Sequence, residues 1–302
     1  MLPLVRDLSS HGKLLLRGAD RARFLHGMVT NDVNGLRPGR GCHAAMLTIK
    51  GKLLGDLRVY CDPEALLVEI DPEATAKIRA ALEQHVIADD VTIEDLTALL
   101  REWGVYGEGA RASVEALVGP LPELAPLAHV TLGDLRVVAA HDLGLDGYRL
   151  FGGAAAARPE GRTLSEEEAE VLRVEAGEPR YGRDMGEEHL PIESRLDAAI
   201  SSTKGCYLGQ EVIVRATQQG RINRRLVGLK LDGATAAAPG AKLSHPSRPE
   251  AGTITSSVVS PRFGPIALGY VHRTVWAPGT SLVVHDAGGE RTATVVEPPF
   301  RS

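Results

Sequence analysis

The chain has 302 residues, and 43% of them are hydrophobic, which is enough to bury the cores of two or three domains. Its 34 Lys and Arg residues against 39 Asp and Glu residues give a formal net charge of -5, which excludes a global attraction for polyanions. Cys42, Cys61 and Cys206 are too few and too far apart for a disulfide framework or a paired-CxxC zinc site. This cysteine usage is typical of a reducing compartment.

Two further classes of protein are disfavoured by the sequence. The ten histidines are scattered singly, with no pair at helical spacing beside a carboxylate, so we predict no metal site. No apolar run approaches the roughly 20 residues that a membrane span needs. We therefore expect a cytoplasmic protein that does not bind membranes.

The first 150 residues alternate between strand and helix patterns. Strands are predicted at residues 13–17, 42–49, 53–61, 65–70, 91–94, 99–106, 135–140 and 147–151. Asp20 can cap a first helix, Asp71-Pro72 opens a second one, and residues 110–118 form a third. This rhythm of β, α, β, β predicts antiparallel sheets with helices on one face.

The pattern changes near Asn223. Ser165 and Glu168 form a capping box for a helix that ends at Gly177, whereas the later part of the chain reads as short strands between Gly and Pro turns. These strands are predicted at residues 226–231, 252–259, 266–271, 281–285 and 292–296. We therefore predict a boundary between residues 1–223 and 224–302, with a small closed or nearly closed β-barrel after it.

One segment has the composition of a reactive site. Cys206 stands between Gly205 and Gly209, with Lys204 two residues before it, so a fixed positive charge can favour the thiolate and small neighbours can leave the sulfur accessible. Gln210 and Glu211 can orient a ligand or move a proton. The alternative is a buried structural cysteine in a Gly-rich turn, and spacing alone favours that alternative.

The same segment carries a family resemblance. Lys204-Gly205-Cys206-Tyr207-Leu208-Gly209-Gln210-Glu211, followed by Arg215, resembles the signature of the YgfZ-type folate-binding proteins, relatives of the aminomethyltransferase (T protein) of the glycine cleavage system. Residues 24–33, FLHGMVTNDV, resemble the N-terminal stretch of that family. Further similar positions follow in family order at residues 50–52, 56, 173–177, 181–182, 184, 191 and 193. The resemblance covers nearly the whole chain.

The resemblance implies a fold, a cofactor and a role. The implied fold is α+β: two interleaved ferredoxin-like lobes in residues 1–223 and a C-terminal β-barrel in residues 224–302, arranged around a central opening that accepts tetrahydrofolate or a one-carbon derivative. The implied role is a folate-binding accessory protein that supports iron-sulfur cluster assembly or repair, and indirectly tRNA modification, with iron-sulfur client enzymes or assembly factors as partners. The alternative is a tetrahydrofolate-dependent aminomethyl or one-carbon transferase.

Departures from the T-protein pattern separate these two functions. Where that enzyme has a Gly-Glu-Asp-Gly run whose glutamate grips the pterin, this chain has Gly144-Leu145-Asp146-Gly147. The paired Asp-Asp of the T protein is reduced to Gly55-Asp56, and the T protein lacks the cysteine motif. These differences disfavour aminomethyl transfer and leave catalytic turnover open.

Several side chains are candidates for the site, each with a structural alternative. Asp56 lies on a predicted strand and can act as a general base or contact the cofactor, or it can simply face solvent. Arg173 resembles a family arginine that faces the folate, or it can form a salt bridge to Glu175 or Asp184. Tyr181 can stack on a heterocycle or pack in the interior. The catalytic candidates are Cys206, Lys204 and Asp56, and the cofactor-binding candidates are Asp56, Arg173, Tyr181, Gln210, Glu211 and Arg215.

A basic cluster follows the motif. It consists of Arg215, Arg221, Arg224, Arg225 and Lys230. These residues can contact phosphate or an anionic folate tail, but no aromatic residues alternate with them in the way that stacks bases. We therefore favour a solvated connector and expect no direct binding of nucleic acid.

Overall fold

The computed structural model of the chain describes residues 2–218, 222–287 and 289–301. These residues form two compact units, and each is described by itself. The first unit contains residues 1–165 and 198–210, and the second contains residues 166–197 and 211–302. The boundary expected between residues 223 and 224 stays a prediction.

The first unit contains eleven described strands and three helices. In chain order these are β1 (Leu4–Asp7), β2 (Gly12–Arg17), α1 (Arg21–Met28), β3 (Arg40–Leu47), β4 (Leu53–Cys61), β5 (Leu66–Ile70), α2 (Pro72–His85), β6 (Thr92–Asp95), β7 (Leu100–Tyr106), α3 (Ala110–Val118), β8 (His129–Leu132), β9 (Leu135–Asp142), β10 (Leu145–Gly153) and β11 (Arg162–Thr163). Strands β1, β8 and β11 were not predicted from the sequence, whereas α3 has its predicted bounds.

These strands form two sheets whose sequences are interleaved. The first sheet has the order β11-β1-β7-β10-β9-β8, and the second has the order β3-β4-β5-β2-β6. Because β2 to β6 are inserted between β1 and β7, the chain completes the second sheet before it returns to the first. The prediction of two sheet lobes is confirmed.

The two sheets pack face to face inside the first unit. Leu15, Tyr60 and Leu67 of the second sheet form one buried cluster with Val138 and Phe151 of the first sheet. Apolar residues thus hold one end of the interface between the sheets, and burial of each large side chain stabilises it by about 1.5–3 kcal/mol. The other end of this interface is charged and bears on the candidate site.

Helix α2 covers the opposite face of the second sheet. Its buried residues are Ala74, Ile78 and Leu82, whereas His85 at its end is exposed. Gly55 on β4 allows this close approach, because a Cβ atom there would lie 2.8 Å from the Cβ of Ala74. The neighbouring residue on β4, Asp56, consequently points to the other face of the sheet.

The second unit is built around a barrel. It contains α4 (Glu166–Ala176), α5, which runs over Gln210–Gln218, and the strands β12 (Arg224–Leu231), β13 (Lys242–His245), β14 (Arg248–Ser260), β15 (Gly264–His272), β16 (Ser281–Asp286) and β17 (Gly289–Val296). The strand order β12-β15-β14-β13-β16-β17 closes through pairing of β12 with β17. The predicted α+β class with a C-terminal β-barrel is confirmed. None of the described helices is both long enough and apolar enough to cross a membrane.

Candidate functional site

The Lys204–Gln210 segment is anchored to the end of α1 by the side chain of Lys204. The ammonium donates hydrogen bonds to the backbone oxygens of His26, Val29 (2.7 Å) and Asn31 (3.1 Å). An ammonium has three N–H donors, so all of them are used. Burial lowers the pKa of Lys204 to about 8. The contacts of Lys204, a predicted catalytic residue, are those of an anchor.

The backbone of this segment lies close against α1 and the turn between β3 and β4. The amide of Leu208 donates to the oxygen of Gly27 over 3.1 Å. Gly209 has a φ of 81°, and a Cβ atom there would lie 2.5 Å from the backbone oxygen of Thr48. Tyr207 is buried, with its ring centroid 5.0 Å from the Lys204 ammonium. A turn with positive φ and close backbone contact explains the glycine at position 209.

Cys206 is the exposed member of the three cysteines. Its neighbour Gly205 has open space where a Cβ atom would stand, and the side chain of Cys206 is not packed in the interior. The alternative of a buried structural cysteine is therefore wrong. Burial and the charge of Asp32 raise the pKa of Cys42 to about 12, and burial raises that of Cys61 as well. Thiol chemistry in this protein is consequently expected at Cys206.

The residues after Cys206 make weak local contacts. The side-chain amide of Gln210 donates to the oxygen of Gly205 at 3.4 Å. Glu211 and Arg215 form an i,i+4 ion pair on α5, and their side chains are 76% and 69% exposed. Such exposed pairs contribute little to stability. The cofactor-binding roles of Gln210, Glu211 and Arg215 stay predictions.

Asp56 lies on β4 and is held by a histidine that no sequence motif indicated. Its Oδ2 atom is 2.9 Å from Nε2 of His43 on β3, and its Oδ1 atom is buried without a hydrogen-bond partner among the described residues. Burial acts to raise the pKa of Asp56, but the hydrogen bond and charge of His43 and the charge of Arg58 outweigh it and lower the pKa. Asp56 is thus an ionised carboxylate, and one of its oxygens is unpaired within the described ranges.

A buried charge layer lies beside Asp56 in the first unit. It consists of Lys13, Arg58 and Glu69 on the second sheet and Glu102, Asp142 and Arg149 on the first. The guanidinium of Arg149 contacts Glu69, Asp142 at 2.8 Å and Glu102 at 3.2 Å. Arg58 reaches Asp142 at 3.1 Å, and Lys13 lies 3.5 Å from Glu102. Three positive and three negative side chains therefore compensate one another between the sheets.

Part of this layer has the outline of a metal site. Ligand atoms of His11, Glu69 and Glu102 lie within 4.8 Å of one another. However, Glu69 and Glu102 already contact the cation of Arg149, and Nδ1 of His11 lies 2.8 Å from Glu69. Because protein cations take the place that a metal ion would occupy, we assign no metal-binding role to this cluster.

The contacts of Arg173 and Tyr181 favour the structural alternatives. All five guanidinium N–H groups of Arg173 are used, by Glu170, Asp184, Ser256 and a backbone oxygen. The salt bridge to Asp184 is present at 2.6 Å, whereas the carboxylate at position 175 accepts from Ser260 instead. Tyr181 is only 5% exposed. The hydrogen bonds of Arg173 and the burial of Tyr181 therefore do not support their predicted contacts with the cofactor.

The basic cluster after the motif is largely paired. Arg224 lies 3.4 Å from Glu193 and 5.1 Å from the ring centroid of Tyr270, and Arg225 lies 3.8 Å from Asp197. Arg221 lies outside the described residues. These pairs are consistent with the expected connector.

Comparison with known proteins shows which family this chain resembles in sequence. Residues 4–140 match the GCVT N-terminal domain, and residues 224–301 match the glycine cleavage T-protein C-terminal barrel domain. The aminomethyltransferase of Rubrobacter xylanophilus is 30% identical over 283 residues, which cover 88% of this chain and 75% of that protein. The aminomethyltransferase of Prochlorococcus marinus strain MIT 9303 is 29% identical over 321 residues, covering 97% and 85%.

A solved structure has the same fold. The glycine cleavage system aminomethyltransferase T from Bartonella henselae superposes with a TM-score of 0.90 at 21% identity, covering 99% of this chain and 86% of that one. Two interleaved sheet lobes and a closed barrel are therefore the architecture of this class of protein. The chain belongs to the glycine cleavage T-protein (aminomethyltransferase) family.

Proposed function

We propose that this protein binds tetrahydrofolate or a one-carbon derivative of it and uses Asp56 in a one-carbon or aminomethyl transfer. The observation that supports this most is the buried Oδ1 atom of Asp56, which has no hydrogen-bond partner among the described residues. A buried carboxylate oxygen without a donor costs free energy that a bound ligand with an N–H group can recover. Family membership favours a folate as that ligand.

The chemistry that Asp56 offers is that of a hydrogen-bond acceptor or a general base. A bound reduced folate supplies the amine that carries the one-carbon unit. Asp56 accepts a hydrogen bond from an N–H group of the ligand and can take its proton when the nitrogen reacts. The depressed pKa of Asp56 favours positioning and charge stabilisation over strong basicity at neutral pH.

The pterin is expected to be held less tightly than in the T protein. Leu145 stands where that enzyme has its pterin-gripping glutamate, and the side chain of the following Asp146 is 96% exposed. A charge-assisted hydrogen bond of this kind contributes about 1.5–3 kcal/mol. Its absence predicts a weaker affinity for folate and supports a second candidate function.

The second candidate is the accessory role of the YgfZ-type proteins. The exposed thiol of Cys206 within the Lys204–Glu211 run favours it, since a reachable cysteine is what reversible thiol chemistry with a partner protein needs. In this function the folate-bound protein supports iron-sulfur client enzymes or assembly factors and affects tRNA modification indirectly. Turnover of a folate adduct would then not be required.

One titration separates the two uses of the site. Under anaerobic conditions we expect saturable binding of tetrahydrofolate to the wild type, and affinity about 10- to 100-fold lower in Asp56→Asn, because a charged acceptor is lost. Cys206→Ala and the matched variant Cys61→Ala should bind as the wild type does. Absence of saturable binding, or equal affinity in Asp56→Asn, would refute the proposed folate site.

The second candidate has its own assay. Asp56→Asn and Cys206→Ala are expressed in cells that lack the protein, and the recovery of iron-sulfur enzyme activity is measured. The accessory function predicts that Cys206→Ala fails while Cys61→Ala succeeds. Full recovery by Cys206→Ala would leave the transferase as the remaining candidate.

A further inference from the structure

His43 and Asp56 are placed side by side by the register of the β3–β4 hairpin. His43 pairs with Arg58 and Ala45 pairs with Asp56, so His43 is the diagonal neighbour of Asp56 on the same face of the sheet. The distance between Nε2 of His43 and Oδ2 of Asp56 is 2.9 Å, and the two side chains are 26% and 14% exposed. The contact is therefore a short, partly buried hydrogen bond between two strands.

The chemistry of the two groups fixes the direction of this bond. An ionised carboxylate only accepts hydrogen bonds, so Nε2 of His43 must carry the hydrogen and donate it to Oδ2. One oxygen of Asp56 is thereby occupied and its carboxylate plane is held, while Oδ1 stays without a donor among the described residues. A carboxylate held in this way has one defined acceptor atom.

We propose that His43 is a positioning residue that keeps Asp56 ionised and reserves its Oδ1 atom for an N–H group of the ligand. This assignment rests on the proposed function, and it concerns a residue outside the family resemblance. His43 itself does not need to touch the ligand. It acts through Asp56 in the way that supporting hydrogen bonds orient binding groups in other sites.

The charged groups around Asp56 explain why it needs this support. Ile70 pairs with both Leu57 and Gly12, so the next residue, Asp71, adjoins Asp56 on one side and His11 on the other. Burial and the charge of Asp56 raise the pKa of Asp71. Two neighbouring carboxyl groups cannot both ionise easily, so the charge of one opposes the ionisation of the other.

His43 and Arg58 face Asp56 from β3 and β4 and favour its charge, whereas Asp71 at the end of β5 opposes it. Glu69 and Lys13 occupy the next row of the sheet, where Arg58 also lies. Removal of His43 therefore takes away the donor that makes Asp56, and not Asp71, the charged member of the pair. The pKa of Asp56 should then rise.

The first test uses the free protein. The carboxyl carbon of Asp56 is identified by comparison of ¹³C NMR spectra of the wild type and Asp56→Asn and is then titrated in His43→Leu and His43→Gln. We expect the pKa of Asp56 to rise by about one pH unit or more in His43→Leu and less in His43→Gln, whose amide can still donate. An unchanged pKa in a folded His43→Leu protein would overturn the assignment.

A matched control is present in the barrel. His285 lies 3.2 Å from Glu290 in an exposed histidine–carboxylate pair of the second unit. His285→Leu should leave the titration of Asp56 unchanged, so a general effect of losing a histidine is distinguished from the specific contact. Circular dichroism of each variant checks that the fold is kept.

The second test measures tetrahydrofolate affinity against pH. We expect His43→Leu to bind about threefold to tenfold more weakly than the wild type at pH 7, with the loss of binding on acidification displaced to higher pH. His43→Gln should lie closer to the wild type, and His285→Leu should match it. If the wild type binds and His43→Leu has the same profile, the role of His43 is refuted while the folate site stands. If the wild type does not bind, the proposed function fails and the NMR titration still decides the role of His43.

Discussion

The Lys204–Gln210 segment and the sheet face around Asp56 use charge in opposite ways. In the segment, the ammonium of Lys204 donates hydrogen bonds to three backbone oxygens, and the thiol of Cys206 is exposed. On the sheet face, cations and carboxylates are buried together, and one oxygen of Asp56 has no hydrogen-bond donor within the described part of the chain. The residues with the strongest sequence signal and the atoms available to a ligand therefore lie in different regions of the molecule.

The two regions also differ in how much the free energy of unfolding should change when one of their side chains is replaced. Removing one partner of a buried ion pair leaves an uncompensated charge and typically costs about 3–5 kcal/mol, whereas replacing the whole pair can be neutral. An anchor formed by hydrogen bonds to backbone oxygens is weaker, and an exposed side chain weaker still. The stability changes expected for three substitutions compare these effects directly.

The largest effect is expected from Glu102→Gln in the buried charge layer. Because burial and the charge of Glu69 disfavour the ionised form of Glu102, its replacement should stabilise the protein, in contrast to the loss of a fully ionised partner. Burial and the charge of Glu69 raise the pKa of Glu102 to about 7, against about 4.5 in the unfolded chain. Between these values the folded state holds more protons than the unfolded state, so stability falls as pH rises through this window. The variant lacks this penalty and should be more stable than the wild type by about 3 kcal/mol at pH 8. The difference should vanish towards pH 4.5.

Chemical denaturation at several pH values checks this prediction. The chain has two tryptophans, at positions 103 and 276, and Trp103 lies next to Glu102. A Trp276→Phe background makes the remaining fluorescence a report on the first unit. Glu94→Gln, at an exposed position on β6, is the matched control and should show no pH-dependent difference. If Glu102→Gln is instead less stable at every pH, Glu102 serves as a necessary counter-ion of Arg149 and Lys13.

An intermediate effect is expected from Lys204→Met. The methionine keeps the apolar stem and removes the three N–H donors, so the segment should lose about 2 kcal/mol of local stability. The amide of Leu208, which is bonded to the oxygen of Gly27, reports on this directly. Its hydrogen exchange should become roughly thirtyfold faster, because 1.4 kcal/mol corresponds to a factor of ten.

Lys230→Met provides the comparison for this substitution. Lys230 is exposed on β12, so its replacement should leave the exchange of Leu208 unchanged. Unaltered protection of Leu208 in Lys204→Met would mean that the anchoring bonds contribute nothing. Lys204 would then be available for the catalytic role predicted from the motif.

The elements that could be predicted from sequence are those with a strong period. Strand β4 alternates buried and half-buried residues, and α3 has its predicted limits, because the apolar pattern in each is uninterrupted. Strands β1, β8 and β13 have four residues each, too few for a period to stand out. Helix α5 was not predicted, because its first residues, Gln210 and Glu211, were considered only as ligand-binding or proton-transfer groups of the motif.

The candidate site was only partly predictable for a different reason. The glycines beside Cys206 left both an accessible and a buried thiol open in the sequence, and only the structure shows that Cys206 is exposed. The partner of Asp56 depends on the register of β3 against β4, which no local pattern reveals. The charged residues at Glu69, Glu102 and Arg149 occupy alternating positions typical of a solvent-facing side. They are buried because a second sheet, distant in sequence, covers that side.

The smallest effect on stability is expected from Cys206→Ser. Because the side chain is exposed, the free energy of unfolding should change by no more than about 0.5 kcal/mol. In the native wild type, a maleimide should label Cys206 first, because burial holds Cys42 and Cys61 as protonated thiols. Mass spectrometry of the labelled peptides measures this order, and Cys61→Ser should leave the fast-labelling site in place. Equal labelling of Cys42, or a large loss of stability in Cys206→Ser, would mean that the thiol has a structural role after all. The contrast between an available thiol and an engaged lysine in the same segment would then no longer hold.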